Sequence, residues 1–119
     1  MSNYDRNNVF AKIVRGEIPS TKIYEDKEIL AFEDVNKVAP VHILVIPKGE
    51  FVSFSDFASK VGPTKVGNFF IKVAEIASDQ DLNDSGYRLI TNNGREAGQT
   101  VFHFHVHIIG RKKMNELLP

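Results

Sequence analysis

A chain of 119 residues is long enough for one hydrophobic core and too short to hold two comfortably, so a single domain over 1–119 is expected. Fifteen Lys plus Arg balance fifteen Asp plus Glu, which removes the net field that draws proteins to nucleic-acid polymers or anionic membranes; hydrophobic (42%) and charged (25%) contents are globular and argue against a disordered or fibrous class. With no cysteine there is no disulfide, thiolate metal site or cysteine nucleophile, which fits a reducing compartment. The N-terminal residues carry no apolar signal segment, and no run approaches the roughly 18 apolar residues that mark a spanning helix. A soluble, cytoplasmic protein is expected, with neither a nucleic-acid polymer nor a membrane as partner.

In chain order, a polar leader over 1–8 precedes a short helix within 9–16. Val9, Phe10, Ile13 and Val14 share one face of it, Asn8 is placed to cap its start and Gly16 its end. Pro19 turns the chain into strands over 22–25 and 28–34, joined at Asp26-Lys27, with Leu30, Phe32 and Asp34 on one face of the second. A third strand runs over 41–46 and stops at Pro47-Lys48-Gly49. Between 51 and 62, phenylalanines recur every three residues among serines, a pattern open to either a helical turn or a packed loop. Gly62-Pro63-Thr64 reads as the start of the main helix, whose stripe of Val66, Phe69, Phe70, Val73, Ile76 and Ala77 ends near Asp79. A fourth strand over 87–92 and a glycine-bearing loop over 93–98 lead to a final strand over 102–109, followed by an exposed basic tail over 111–119. The short links and single main helix predict an α+β fold, a mostly antiparallel sheet with helix on one face.

The last strand carries the chemistry. His103, His105 and His107 alternate with Phe102, Phe104, Val106 and Ile108, a period of two that turns the apolar set into the core and stands the imidazoles in a row facing a cleft. The remaining histidine, His42, lies on a strand that an antiparallel sheet can bring beside the row. Imidazoles merely lining a solvated face is a poor reading, since the chain holds only four histidines. A metal is disfavoured because three residues in line on a straight strand span about 13 Å, and no carboxylate or thiol lies in the adjacent segment. Nucleophilic catalysis by one imidazole with a neighbour moving protons, and binding of a phosphate ester without turnover, both stay open. Phosphorus suits the first, because imidazole nitrogen attacks phosphoryl centres and the P–N bond formed is labile to water. The Asn93-Gly94, Ala97-Gly98 and Gln99-Thr100 stretch offers amides and a hydroxyl suited to phosphate oxygens.

The run from Gly98 through Ile109 resembles the signature of the histidine triad (HIT) superfamily, His-φ-His-φ-His-φ-φ with φ apolar. Val9 to Ile13, Gly16 to Pro19, Ile23 to Asp26, Leu30 to Val35 and Ala39 to Lys48 are similar to the Hint branch of purine nucleoside phosphoramidases. The resemblance runs from about Val9 to Gly110; the tail lacks the tryptophan-containing ending of some eukaryotic Hint proteins. It implies a five-stranded, mainly antiparallel sheet with one main and one short helix, paired into a homodimer whose sheets continue across the interface. It implies His105 as nucleophile on the α-phosphorus of a purine nucleoside monophosphate derivative, His107 as proton donor, Thr100 nearby, and His103 and His42 orienting the nucleophile. Asp34 would bind ribose, Phe10, Ile13, Phe32 and Val35 the purine, and Asn92, Gly98 and Gln99 the phosphate; read without the family, Phe32 is a core residue. Neither a metal nor another cofactor is implied. Dinucleoside polyphosphate hydrolysis by the same superfamily, or a purine nucleotide-binding interaction module with incidental turnover, are the alternatives.

Overall fold

Five strands, β1 (Lys22–Glu25), β2 (Ile29–Glu33), β3 (Val41–Pro47), β4 (Tyr87–Ile90) and β5 (Val106–Gly110), form one antiparallel sheet in the order β1-β2-β3-β5-β4. The structure is a computed structural model that describes residues 3–117, so the first two residues of the leader and the last two of the tail lie outside the described residues. The α+β class and the five-stranded antiparallel sheet match expectation. Helix covers both faces rather than one. Helix α1 (Val9–Val14) packs Phe10 and Ile13 against Leu30, Phe32, Leu44 and Ile46, whereas α2 (Phe54–Asp79) packs Phe57, Phe69, Val73 and Ile76 against Ala31, Ile43, Val45, Val106 and Ile108. Strand β2 is therefore buried on both sides, which is why its sequence reads as a nearly continuous apolar run.

Local chemistry sets the helix ends. Asn8 Oδ1 accepts the Ala11 N–H at 2.9 Å and starts α1. Ser53 Oγ accepts the Asp56 N–H at 3.2 Å while Asp56 Oδ2 accepts the Val52 N–H at 2.9 Å, a reciprocal cap that begins α2 eight residues before Gly62. The undecided 51–62 stretch is thus mostly helix. Gly62, at φ 81° and ψ 173°, leaves helical geometry and Pro63 resumes it, so α2 is two helical segments meeting at a kink, and the start expected at Gly62-Pro63 is the start of the second.

The final strand is shorter than its alternation predicts. Its last pairs are Val45 with Val106 and Ile90 with His107, and residues 101–105 run unpaired. The next residues of β3 end in Pro47, which has no N–H to offer a neighbour. Alternation survives without pairing: Phe104, Val106 and Ile108 reach the α2 side, with Phe104 stacked on Phe57 at 4.9 Å between centroids. Phe102, expected in the core, is 41% exposed because the chain has left the sheet there.

The C-terminal segment over 111–115 is fastened to the rest of the fold. Arg111 Nη2 donates to the Gln80 carbonyl, Lys112 Nζ to the Val38 carbonyl, and Arg88 Nη2 to the Asn115 carbonyl, each at 3.0 Å. The described part of the tail, 111–117, is largely solvent-exposed as expected, but pinned across the sheet end. Replacing Phe104 with Ala should cost about 3–5 kcal/mol of folding free energy through its cavity, and the same change at Phe102 less than about 1 kcal/mol. Paired urea titrations measure both, and equal losses would contradict the burial assigned to the two rings.

Candidate active site

Strand β3 lies beside β5, with Leu44 opposite His107 and His42 opposite Ile109, so His42 and His107 are diagonal neighbours on one sheet face. Their hydrogen bonds define their tautomers. The Val38 N–H donates to His42 Nδ1 at 3.2 Å, which puts the ring proton of a neutral His42 on Nε2. That Nε2–H lies 2.8 Å from His107 Nδ1 and 3.2 Å from Asp34 Oδ2. His107 Nδ1 is therefore the acceptor, and its own proton sits on Nε2. Asp34, just past β2, is fixed by its N–H on the His42 carbonyl and by Oδ1 accepting the Asn36 N–H.

The other two histidines precede β5, where the backbone is free to bond with side chains. His105 Nδ1 is 2.6 Å from the His103 carbonyl, an acceptor only, so Nδ1 carries the proton and Nε2 a lone pair. The His105 carbonyl in turn accepts from Thr91 Oγ1 at 2.7 Å. His103 Nε2–H donates to the Pro47 carbonyl at 2.7 Å, and Tyr4 hydroxyl donates to its Nδ1 at 2.5 Å. Phe10 sets its ring edge-on to His105 at 4.9 Å, and the His105 and His107 centroids are 5.2 Å apart. Among the described residues no buried side-chain polar atom lacks a partner.

Burial keeps all four rings neutral near pH 7. It pushes His103, 1% exposed, down to about 4 against the opposing Pro47 carbonyl. His107 also falls to about 4, through burial and then through the neighbouring His105 and His42. His105 and His42 are lowered by burial too, opposed by the His103 carbonyl and by Asp34 respectively. The arrangement sets a lone pair on His105 beside an N–H on His107, a nucleophile next to a proton donor.

Of the residues singled out in the sequence, the fold brings Asp34, His42, His105, His107 and Phe10 together. His42 meets His107 rather than the nucleophile candidate, and it is the carbonyl of His103 that orients His105, since the His103 ring turns away. Ile13 and Phe32 lie buried beneath Phe10, whereas Val35 is 92% exposed beside a cleft of about 420 Å³ that Asp34 shares with Pro19, Thr21 and Lys37. The Gln99 amide is committed to loop structure, donating to the Val52 and Val101 carbonyls and accepting from the Gly94 N–H. Gly98 occupies the left-handed region at φ 93° and its N–H closes a turn on Arg95, so it shapes the loop. Asn92 is half-buried and Thr100 exposed along the same loop. Tyr4, Thr91 and the Pro47 carbonyl escaped the sequence reading: Tyr4 sits in an apparently featureless leader, and a backbone carbonyl leaves no signature.

Asp34, His42 and His107 have ligand atoms all within 4.8 Å of one another, a set that can hold a divalent ion with one position open. The carboxylate missing from the adjacent strand segment arrives from the end of β2, which removes one of the two grounds on which a metal was disfavoured. A family model described as the HIT domain matches residues 15–114. The chain belongs to the HIT domain family. An uncharacterized HIT-like protein of Rickettsia prowazekii is 53% identical over 115 residues, covering 97% of this chain and 96% of its own. A 14 kDa zinc-binding protein of Zea mays is 38% identical, covering 93% and 87%. The crystal structure of a HIT family hydrolase from Legionella pneumophila superposes with a TM-score of 0.86 at 38% identity, over 92% of this chain and 96% of that one. Hydrolase chemistry is thus the family setting of the histidine row.

The lowered histidines make folding sensitive to acid. Their folded pKa values lie below the ordinary value of about 6.5, so between about pH 6.5 and 4 the unfolded chain binds more protons and stability falls as pH drops. The urea midpoint should decline over that window, with a shallower decline in His103→Gln; an unchanged slope in the variant would contradict a buried neutral His103.

Proposed function

We propose that the protein hydrolyses purine nucleoside 5'-monophosphate phosphoramidates, as a Hint-type member of its family, through a covalent nucleotidyl-His105. One observation carries the reading: the His103 carbonyl holds the His105 proton on Nδ1, leaving the Nε2 lone pair next to the His107 Nε2–H. Nε2 of His105 attacks phosphorus opposite the amine, forming the P–Nε2 bond as the P–N bond to the leaving group breaks. The bound phosphate anion favours a protonated His107, and Asp34 Oδ2, 4.0 Å from its Nδ1, faces the charge gained. His107 then gives its Nε2 proton to the departing amine. Water attacks the nucleotidyl-histidine in the second half, His107 takes the water's proton, and the bonding pair returns to His105 Nε2.

In this reading Asp34 serves the ribose hydroxyls, Phe10, Ile13, Phe32 and Val35 the purine, and Thr100 and Asn92 the phosphate, with Gly98 and Gln99 shaping their loop. Asn93, whose Oδ1 caps the Ser55 N–H at 2.7 Å, ties that loop to α2. Edge strand β4, with Leu89 43% exposed, is suited to continuing the sheet into a second copy, and a homodimer is part of the proposal. Among the described residues no helix is long and apolar enough to cross a membrane. A cytoplasmic location, which suits a chain without cysteine, is part of the proposal. A second reading rests on the Asp34-His42-His107 cluster and on the zinc-binding name of the maize relative: a divalent ion held there.

Purified protein given an adenosine phosphoramidate should release the amine in the presence of chelator, and His105→Ala should lower the rate at least about a thousandfold, as loss of a nucleophile does. Intact mass should trap a nucleotidyl adduct on the wild type. Turnover by the variant at the wild-type rate would refute the mechanism, and activity lost to chelator would favour the metal. Faster cleavage of a dinucleoside polyphosphate would move the protein to that branch, and purine nucleotide binding with no adduct or turnover would make it a binding module. Light scattering at micromolar concentration should give the dimer mass; a monomer would refute the pairing.

A further inference from the structure

A second cavity lies on the other face of the sheet from the histidines. It has a volume of about 590 Å³, within the range of small-molecule sites, and opens between α2 and the turn that joins β1 to β2. Its lining belongs to the α2-facing core cluster, whereas His42 and Leu44 face α1, so the sheet itself separates the cavity from the histidine row. Nothing in the proposed hydrolysis uses it.

The lining has two chemical parts. Its inner wall is apolar, built from Ile29, Phe51, Phe57, Val61 and Phe69. Phe51 folds back over Gly49, where a Cβ would stand 2.5 Å from its ring and push it aside, and it meets Phe57 edge-on at 5.1 Å. The lip carries Lys27, Lys48, Lys65 and Lys72 against two carboxylates, Asp26 and Glu28, in a chain whose charges balance overall. Asp26 is already spent on the turn, with Oδ1 accepting the Glu28 and Ile29 N–H groups and Oδ2 the Tyr24 hydroxyl. Lys65 reaches Glu28 only at 3.4 Å with both side chains exposed, a pair that an incoming anion readily replaces. Lys48 and Lys72 are each neutralised by a carboxylate at 2.7 Å, Glu25 and Glu75, so the positive charge open to a ligand is that of Lys27, which has no ion pair among the described residues, and of Lys65 once it leaves Glu28.

An apolar recess with a cationic lip complements one class of small molecule. We propose that this cavity binds an amphipathic anion, its hydrocarbon body against Phe51, Phe57 and Val61 and its anionic head between Lys27 and Lys65. Water leaves the apolar wall as the body enters, and the head finds positive charge without having to be buried. The site sits at the β1–β2 end of the sheet, opposite the β4 edge, so it stays open in a dimer formed through β4. Its existence does not depend on what the histidine row turns over.

Decanoate is a suitable probe and 1-decanol its uncharged control, both kept below the concentrations at which they aggregate. Titration followed by amide NMR should move Gly49, Phe51, Lys65 and Asn68 and leave Asp34 and Asn36 in place. The doubly substituted Lys27→Glu, Lys65→Glu chain, changed only at exposed side chains, should bind decanoate at least about tenfold more weakly, while saturating adenosine monophosphate should leave decanoate binding to the wild type unchanged. The proposal is overturned if decanol binds as well as decanoate, if the charge-reversed chain binds as the wild type does, or if the nucleotide displaces the probe. A fold control comes from the amide spectrum of the variant, which should overlay on the wild type away from the two substitutions.

Discussion

The active face depends on where β5 stops pairing. Pro47 ends β3 without an N–H, and beyond Val106 the neighbouring chain has no ladder to join. The carbonyls that a longer strand would have spent on its neighbours are then available for side chains. Pro47 accepts from His103 Nε2, His103 accepts from His105 Nδ1, and His105 accepts from Thr91 Oγ1. Each of these bonds fixes either a tautomer or a backbone position. A regular strand through residue 102 would have left the three imidazoles chemically alike; an interrupted one makes them different.

Burial then acts on rings whose hydrogen-bonding is already decided. Among the described residues no fully buried side-chain polar atom lacks a partner, so the cost of placing imidazoles in the interior falls chiefly on their charged forms, which lowers the pKa of all four. Neutrality gives His105 a lone pair at physiological pH. Asp34 stands at the edge of this network and reaches His42 and His107 with one oxygen, so any positive charge appearing there during a reaction has a counter-charge in place. The opposite face of the sheet carries the aromatic cluster of Phe57, Phe69 and Phe104 under α2, and that packing holds the row from behind.

Much of this was legible in the residues, and the exceptions have physical causes. The alternation of Phe104, Val106 and Ile108 with histidine placed the row on one side correctly, because side-chain direction in an extended chain persists whether or not a partner strand is present. The same alternation overstated the length of β5 and buried Phe102, since periodicity records side-chain direction and not hydrogen bonding. The first segment of α2 is hard to read because its cap is a Ser-x-x-Asp box among serines, whereas the Gly62-Pro63 signal marks the start of the second segment, after the kink. His42 was placed beside the row by strand adjacency, but its choice of His107 over His105 is a matter of diagonal register. Tyr4 and the Pro47 carbonyl act on His103 over separations of 99 and 56 residues, which no local pattern encodes.

All four imidazoles are neutral and each is held in one tautomer, with His105 opposite to the other three. Long-range proton–nitrogen correlation spectra of uniformly 15N-labelled protein at pH 7 read this directly. The account predicts His105 with its proton on Nδ1 and His42, His103 and His107 with theirs on Nε2. A His105 carrying its proton on Nε2, or a charged His105 at that pH, would contradict it.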